Sequence, residues 1–417
     1  MKKNFLKISF LVLFSLTMST LTTSCSSDND NAIETKADPN GYELKGELTG
    51  TRTLLAGQKY TLTGGYHVKN GGNLIIQEGV TIESTRAIDG ACDYILVEQG
   101  GKINAKGTKD KPVVMTSVLK EPKAWGGIHI CGKAPINLIG ATKSEIGDAP
   151  FGGTDANDNS GVLSYVRLEY TGFAFNADKE SNGFTFYGVG RGTQLDHLQS
   201  YKGADDGFEW FGGTVDAKYL VSTASEDDSF DWTDGWVGRG QFWIAVQDQS
   251  APDATGTANG DCLIEADTRS DDFARKPASC PTLANLTLIG NNDTNAQKRG
   301  IRLRAGTYVK LYNSLVTGKP KCITTATAET EQSFIDGKSE IQYVYTANAY
   351  SYESGAALAL DTKTGNAVNQ TFSFTNGYVG TIDGGKDMST VDSYFTKALF
   401  KGAVNANDDW TAGWTLK

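Results

Sequence analysis

Histidine, proline and long apolar runs are all scarce in this chain of 417 residues. Three histidines leave little room for a multi-histidine metal centre. Nine prolines beside 48 glycines exclude collagen and glycine/proline linkers. The marked apolar run, Ile8 to Leu16, is too short for the roughly 20 residues that cross a bilayer. Positive charge is also short. Lys and Arg total 39 against 49 Asp and Glu, a net of −10, which argues against nucleic-acid binding, since that needs a basic surface. No phosphate-cradling G-x-x-x-x-G-K-[ST] loop, no G-x-S-x-G nucleophile turn and no C-x-x-C pair occurs.

What is present fits a folded β protein. Apolar residues make up 39% and aromatics 10%, too rich for a disordered chain. Glycine far exceeds its usual ~7%, which together with β-branched and aromatic residues predicts short strands joined by tight turns.

The N-terminus reads as an address. Lys2, Lys3 and Lys7 precede the apolar run, and Leu21-Thr22-Thr23-Ser24-Cys25 follows it. This end resembles a bacterial lipobox, with Thr22 where Leu is usual. The resemblance implies a signal peptide over 1–24 and lipidation of Cys25, and several acyl chains anchor stably where one does not. Residues 25–40 are polar and acidic, as a flexible tether is. They also resemble the surface-export signal of some Gram-negative lipoproteins. Loss of Lys2, Lys3 and Lys7 with the signal leaves 36 basic and 49 acidic residues, a net of −13.

Internal repetition sets the fold. Gly71-Gly72 and Gly100-Gly101 lie 29 residues apart in similar contexts. Asp205-Asp206-Gly207-Phe208-Glu209-Trp210 recurs as Asp227-Asp228-Ser229-Phe230-Asp231-Trp232, offset by 22 at every position. Leu195, His197, Leu198 and Ser200 map by the same offset onto Ala217, Tyr219, Leu220 and Ser222. Units of this length, made of alternating strands and glycine turns, suit coils of a β-solenoid. Each coil buries its inner face only by stacking on its neighbours. No 3.6-residue apolar period supports helical repeats.

The runs Tyr60 to Ile82, Ile95 to Ser117 and Trp125 to Pro135 resemble a family of Gram-negative surface proteins. So do Ala204-Asp205-Asp206-Gly207-Phe208-Glu209, Ile264-Glu265-Ala266-Asp267 and Asp409-Trp410-Thr411-Ala412-Gly413-Trp414. The family carries a right-handed parallel β-helix, the pectin-lyase-like fold. The resemblance implies an all-β, single-stranded solenoid over 41–330, with 331–417 continuing or capping it, and a surface location. It implies little about a reaction.

Beyond Cys25 there are Cys92, Cys131, Cys262, Cys280 and Cys322. Their odd count leaves at least one thiol unpaired within the chain. Cys262 and Cys280 bracket an acidic loop and are the favoured disulfide; Cys92 with Cys131 is a second candidate.

In-register stacking places Asp205 over Asp227, Asp206 over Asp228 and Glu209 over Asp231, each pair about 5 Å apart. Opposed like charges destabilise a sheet, so something must offset them. Three readings stand. The six carboxylates can hold Ca²⁺, a hard cation that takes oxygen ligands. Asp205, Asp206, Asp227 and Asp228 can serve catalysis, with Arg239 or Lys202 as base for a calcium-dependent polysaccharide lyase, or as an acid pair for a glycoside hydrolase. Gly203-Ala204-Asp205-Asp206 resembles a polygalacturonase motif, but the companion Gly-His-Gly is absent. Third, the acids form a solvated ladder. Asp155 to Gly161 reads first as a turn and only second as a calcium loop, since Ser160 stands where the loop's Gly belongs. Trp236 and Trp243 flank glycine-rich turns and are candidate ligand platforms beside Glu265 and Asp267, an arrangement suited to a carbohydrate.

The leading expectation is a non-catalytic, outer-membrane-anchored β-helix lipoprotein that binds an extracellular ligand such as a glycan, as accessory to an outer-membrane transporter. The alternatives are a calcium-dependent lyase or hydrolase, and an adhesin-like structural stalk.

Overall fold

Strand after strand alternates buried and open positions, the period-two pattern of half-buried β-structure; Lys59–Val68 and Asn73–Ile76 are early examples. In the computed structural model, which describes residues 38–85, 92–176, 179–250 and 259–417, 25 strands, some alternating and some buried throughout, join one sheet in which neighbouring coils pair in parallel. The chain climbs as a parallel β-helix, and three columns of strands surround one apolar core. The signal segment, Cys25 and most of the 25–40 tether lie outside the described residues. Among those described, no helix is long and apolar enough to cross a membrane.

The front column carries the repeat. It includes Ile128–Cys131, Phe184–Tyr187, Phe208–Phe211, Phe230–Thr233, Ile264–Ala266, Arg299–Leu303 and Lys321–Thr325, each hydrogen-bonded to the next. Phe208 faces Phe230, Glu209 faces Asp231 and Trp210 faces Trp232, so the 22-residue echo is a literal register.

The second and third columns are made by longer strands that bend once. Ala217–Thr223 and Arg239–Val246 are typical. The bend residue takes a left-handed backbone: φ is 51° at Tyr165 and His197, 60° at Tyr219, 62° at Phe242, 58° at Asn285 and 52° at Asn313. Asparagine tolerates this region; for a bulky ring it is a real outlier.

The core is aromatic in the middle coils. Phe208 stacks on Phe184 at 4.9 Å and on Phe230 at 5.4 Å between ring centres. Trp210 lies parallel to Trp243 within 3°, at 5.1 Å. These rings are almost wholly shielded from water.

The segment after 330 does more than continue or cap. Glu340–Gln342, Tyr345–Thr346 and Tyr350–Tyr352 extend all three columns. The chain then turns back and runs beside the bend residues as a strap. Lys386 N donates to Asn313 Oδ1, Thr396 N to Gln241 Oε1 and Leu416 N to Gln199 Oε1, so the strap descends coil by coil. Its Trp410 and Trp414 pack edge-on against His197.

The expected disulfide is not formed. Cys262 and Cys280 are both free thiols, as are Cys92 and Cys131. Cys262 directly precedes the front strand Ile264–Ala266, whereas Cys280 precedes Thr282–Ile289 in the other columns. The loop between them passes from one column to the next, so they belong to different sides of the coil. Burial pushes both thiols upward in pKa, which keeps them protonated and unreactive.

Candidate functional site

Alternation decides which side chains leave the front column. Phe208 and Trp210 point into the core, so Glu209 points out; Phe230, Trp232 and Asp231 repeat the arrangement. The turn before each strand adds a pair of acids. Asp228 N donates to Asp206 Oδ1 at 2.9 Å, and Gly207 N donates to Asp228 O. One turn therefore seats on the next, with Asp206 and Asp228 only 6% and 5% exposed.

The next coil extends the ladder. Asp231 faces Glu265, and Asp261 N donates to Asp227 O. Single oxygens of Asp206, Glu209 and Asp231 lie within 4.8 Å of one another, as do those of Asp205, Asp206 and Asp227, and of Asp227, Asp228 and Asp261. Asp228, Glu265 and the Cys262 thiol make a fourth such group.

Among the described residues, charge compensation sits at one end only. Glu265 faces Arg302 in the following coil, and Arg302 Nη1 donates to it at 2.9 Å. Arg304 bonds both Glu265 and Asp267, and Lys298 Nζ reaches Asp261 at 2.9 Å. At the other end, among the described residues, Glu209 accepts only from the neutral amide of Asn182. Asp231 Oδ1 is buried with no hydrogen-bond partner among the described residues. Burial, reinforced by the mutual repulsion of the acids, pushes the carboxyls of Asp206, Glu209, Asp228 and Asp231 well above the carboxylate range. Asp205 is pushed up to about 7 by burial, Glu180 and Asp227.

Glu145 joins from a different direction. It lies in the loop after Ile128–Cys131, where Tyr187 Oη donates to it at 3.2 Å. Burial and the nearby acids push it up to about 7. No repeat marks Glu145, and sequence reading missed it. Asp261 was missed because an enlarged loop precedes it and breaks the 22-residue spacing.

Several expected residues stand elsewhere. Trp236 and Trp243 are core residues at 0% exposure, not platforms; their indole N–H groups donate to the carbonyls of Val215 and Ala217. Their glycine-rich flanks are turns that return the chain inward. Arg239 is not beside the acid ladder. It opens a second-column strand and is clamped by Asp216 and Asp392, so it is no base for the front face. Glu265 and Asp267 do lie on the front face, tied to arginines. Asp155 to Gly161 is a pair of side-chain-capped turns, with Asn157 N on Asp155 Oδ1 and Gly161 N on Asn159 Oδ1.

A hard divalent cation fits this chemistry. The Asp206, Glu209 and Asp231 group is all oxygen and includes a buried oxygen with no partner, whereas the group with Cys262 is softer and its Glu265 is held by two arginines.

A family model described as a pectate-lyase like beta helix domain matches residues 46–415. No curated protein and no solved structure matches the chain. The chain belongs to the pectate-lyase-like β-helix family.

Proposed function

We propose, from that family membership as premise, that this β-helix protein is a cell-surface lipoprotein, anchored in the outer membrane through Cys25, whose front face binds an extracellular acidic glycan through Ca²⁺ and presents it to an outer-membrane transporter. The carrying observation is the acid ladder that has arginines on Glu265 at one end, only a neutral amide on Glu209 at the other among the described residues, and an unpartnered buried Asp231 oxygen between them. Carboxylates this crowded are repulsive unless protonated or cation-bound. Asp206, Glu209 and Asp231 would hold the ion, with Asp205 and Asp227 beside them. Bound Ca²⁺ supplies positive charge that an anionic ligand can share, on a chain whose net charge otherwise repels anions.

The test is thermal unfolding of the mature chain in EDTA and in Ca²⁺. Stabilisation by Ca²⁺ that disappears in Asp206→Asn/Asp231→Asn supports the reading; an unchanged melting temperature contradicts it.

A second reading, glycan cleavage, draws on Glu145 and Asp205. Burial and neighbouring acids push both carboxyls up to about 7, the range that acid–base work at neutral pH uses. Turnover of acidic polysaccharides that Glu145→Gln abolishes would favour it over binding alone.

A further inference from the structure

A cavity lies where the strap crosses the bend residues, away from the front column. Its volume is about 380 Å³, within the roughly 300–1,000 Å³ typical of small-ligand pockets. On one wall, rings form a continuous stack: Tyr165 on His197 at 4.1 Å, His197 on Tyr219 at 4.4 Å and Tyr219 on Phe242 at 5.1 Å, all within 16° of parallel. His197, Tyr219 and Phe242 line the cavity, and the strap closes it with Asn407, Asp408 and Trp410.

Three features set this seam apart from ordinary packing. First, three successive rings at left-handed φ line the cavity, a position that the next two coils fill with Asn285 and Asn313 before Tyr343 returns a ring to it away from the cavity. Rings there are strained, and such strain is usual where a site is built. Second, six of the seven tryptophans are fully buried and Trp410, on the cavity wall, is the partly open one. Third, the polar groups are prepared. His197 Nδ1 is hydrogen-bonded to Asp196 Oδ1 at 2.8 Å. Asp196 also accepts from Ser164 at 2.6 Å and from Gln194 at 2.8 Å. His197 Nε2 and the Asp408 carboxylate have no hydrogen-bond partner among the described residues.

We propose that this seam is a second binding site, for a ring of a neutral saccharide. A sugar ring offers an apolar face to an indole and hydroxyls to fixed donors and acceptors. Trp410 meets the face, beside the half-buried Tyr219. His197 Nε2, Asp408 and Asn407 meet the hydroxyls. The cavity takes one or two such rings. Asp408 and the chain's net charge disfavour an anionic sugar, which separates this site from the cation-bridged front face. The site needs no metal and does not depend on the front-face reading.

The experiment titrates the mature chain, in EDTA, with neutral hexoses and their β-linked dimers up to the solubility limit. It reads acrylamide quenching of tryptophan fluorescence and calorimetric heat. Because Trp410 is the partly open indole, binding is expected to protect the quenchable fraction. Asp408→Ala, at an exposed position with no partner to lose, is expected to weaken binding about tenfold, the cost of one charged hydrogen bond. Trp410→Phe is expected to remove the quenching signal and weaken the calorimetric affinity, while Asp206→Asn/Asp231→Asn leaves binding intact. No saturable binding by any neutral sugar overturns the proposal. So does binding that Asp408→Ala and Trp410→Phe both leave unchanged, or that the front-face variant abolishes.

Discussion

Two columns of side chains rise from the same front strands and behave oppositely. Phe208 stacks on Phe230 inside, where Trp210 also lies in register with Trp232 and stacks on Trp236 and Trp243; Glu209 lies over Asp231 outside. One register builds both. Inside, identical residues attract, since rings gain burial and contact from being superimposed. Outside, identical charges repel. The cohesive column holds the coils at their spacing and forces the repulsive one together. The acids are thereby crowded by the fold, and that crowding is what the proposed cation would relieve.

The largest expected break is on the inner column. Phe208→Ala removes a fully buried ring between two stacked neighbours, and is expected to cost about 3–5 kcal/mol, read by chemical denaturation. Next comes the compensated end of the ladder. Arg304→Ala strips Glu265 and Asp267 of a shared partner and is expected to cost about 2 kcal/mol; Arg304→Lys, which cannot span both carboxylates with a planar fork, is expected to recover only part of it. At the uncompensated end the sign reverses. In EDTA at neutral pH, Glu209→Gln is expected to stabilise by about 0.5–1 kcal/mol, the relief of one opposed like-charge pair. If it destabilises instead, the columns are not antagonistic.

pH sharpens the same contrast. The folded-state pKa of Asp205 stands near 7, above an unfolded value of about 3.9. Its contribution is therefore fully present below the unfolded value and lost as pH rises toward 7. Metal-free stability of the native chain is expected to fall across this window more steeply than that of Asp205→Asn, and added Ca²⁺ to flatten the fall. The smallest effect concerns the thiols. All five described cysteines are free, so reductant is expected to leave the melting temperature unchanged, and Ellman titration of the native protein to find at most Cys280, the one half-buried thiol.

The sequence made the solenoid legible because coils of equal length repeat their pattern at a fixed offset. The stacking of Asp205 to Asp231 over one another followed directly from that offset. What lay in unequal connections did not show. Glu145 sits in a loop with no counterpart in other coils, and Asp261 follows an insertion. The strap was hidden because its pairing partners, such as Gln199 with Leu416, are more than half the chain apart. Trp236 and Trp243 misled because glycine flanks mark turns without revealing which way a ring points. The cysteines misled because closeness in sequence across a turn of the helix separates residues onto different columns.

The most direct test of a cation-bound ladder is a crystal of the mature chain soaked in a terbium salt, a calcium mimic with strong anomalous scattering. The account predicts an anomalous peak on the front face among Asp206, Glu209 and Asp231, lost in Asp206→Asn/Asp231→Asn. A map with no peak there, while the carboxylates stay ordered in the arrangement described, would contradict it.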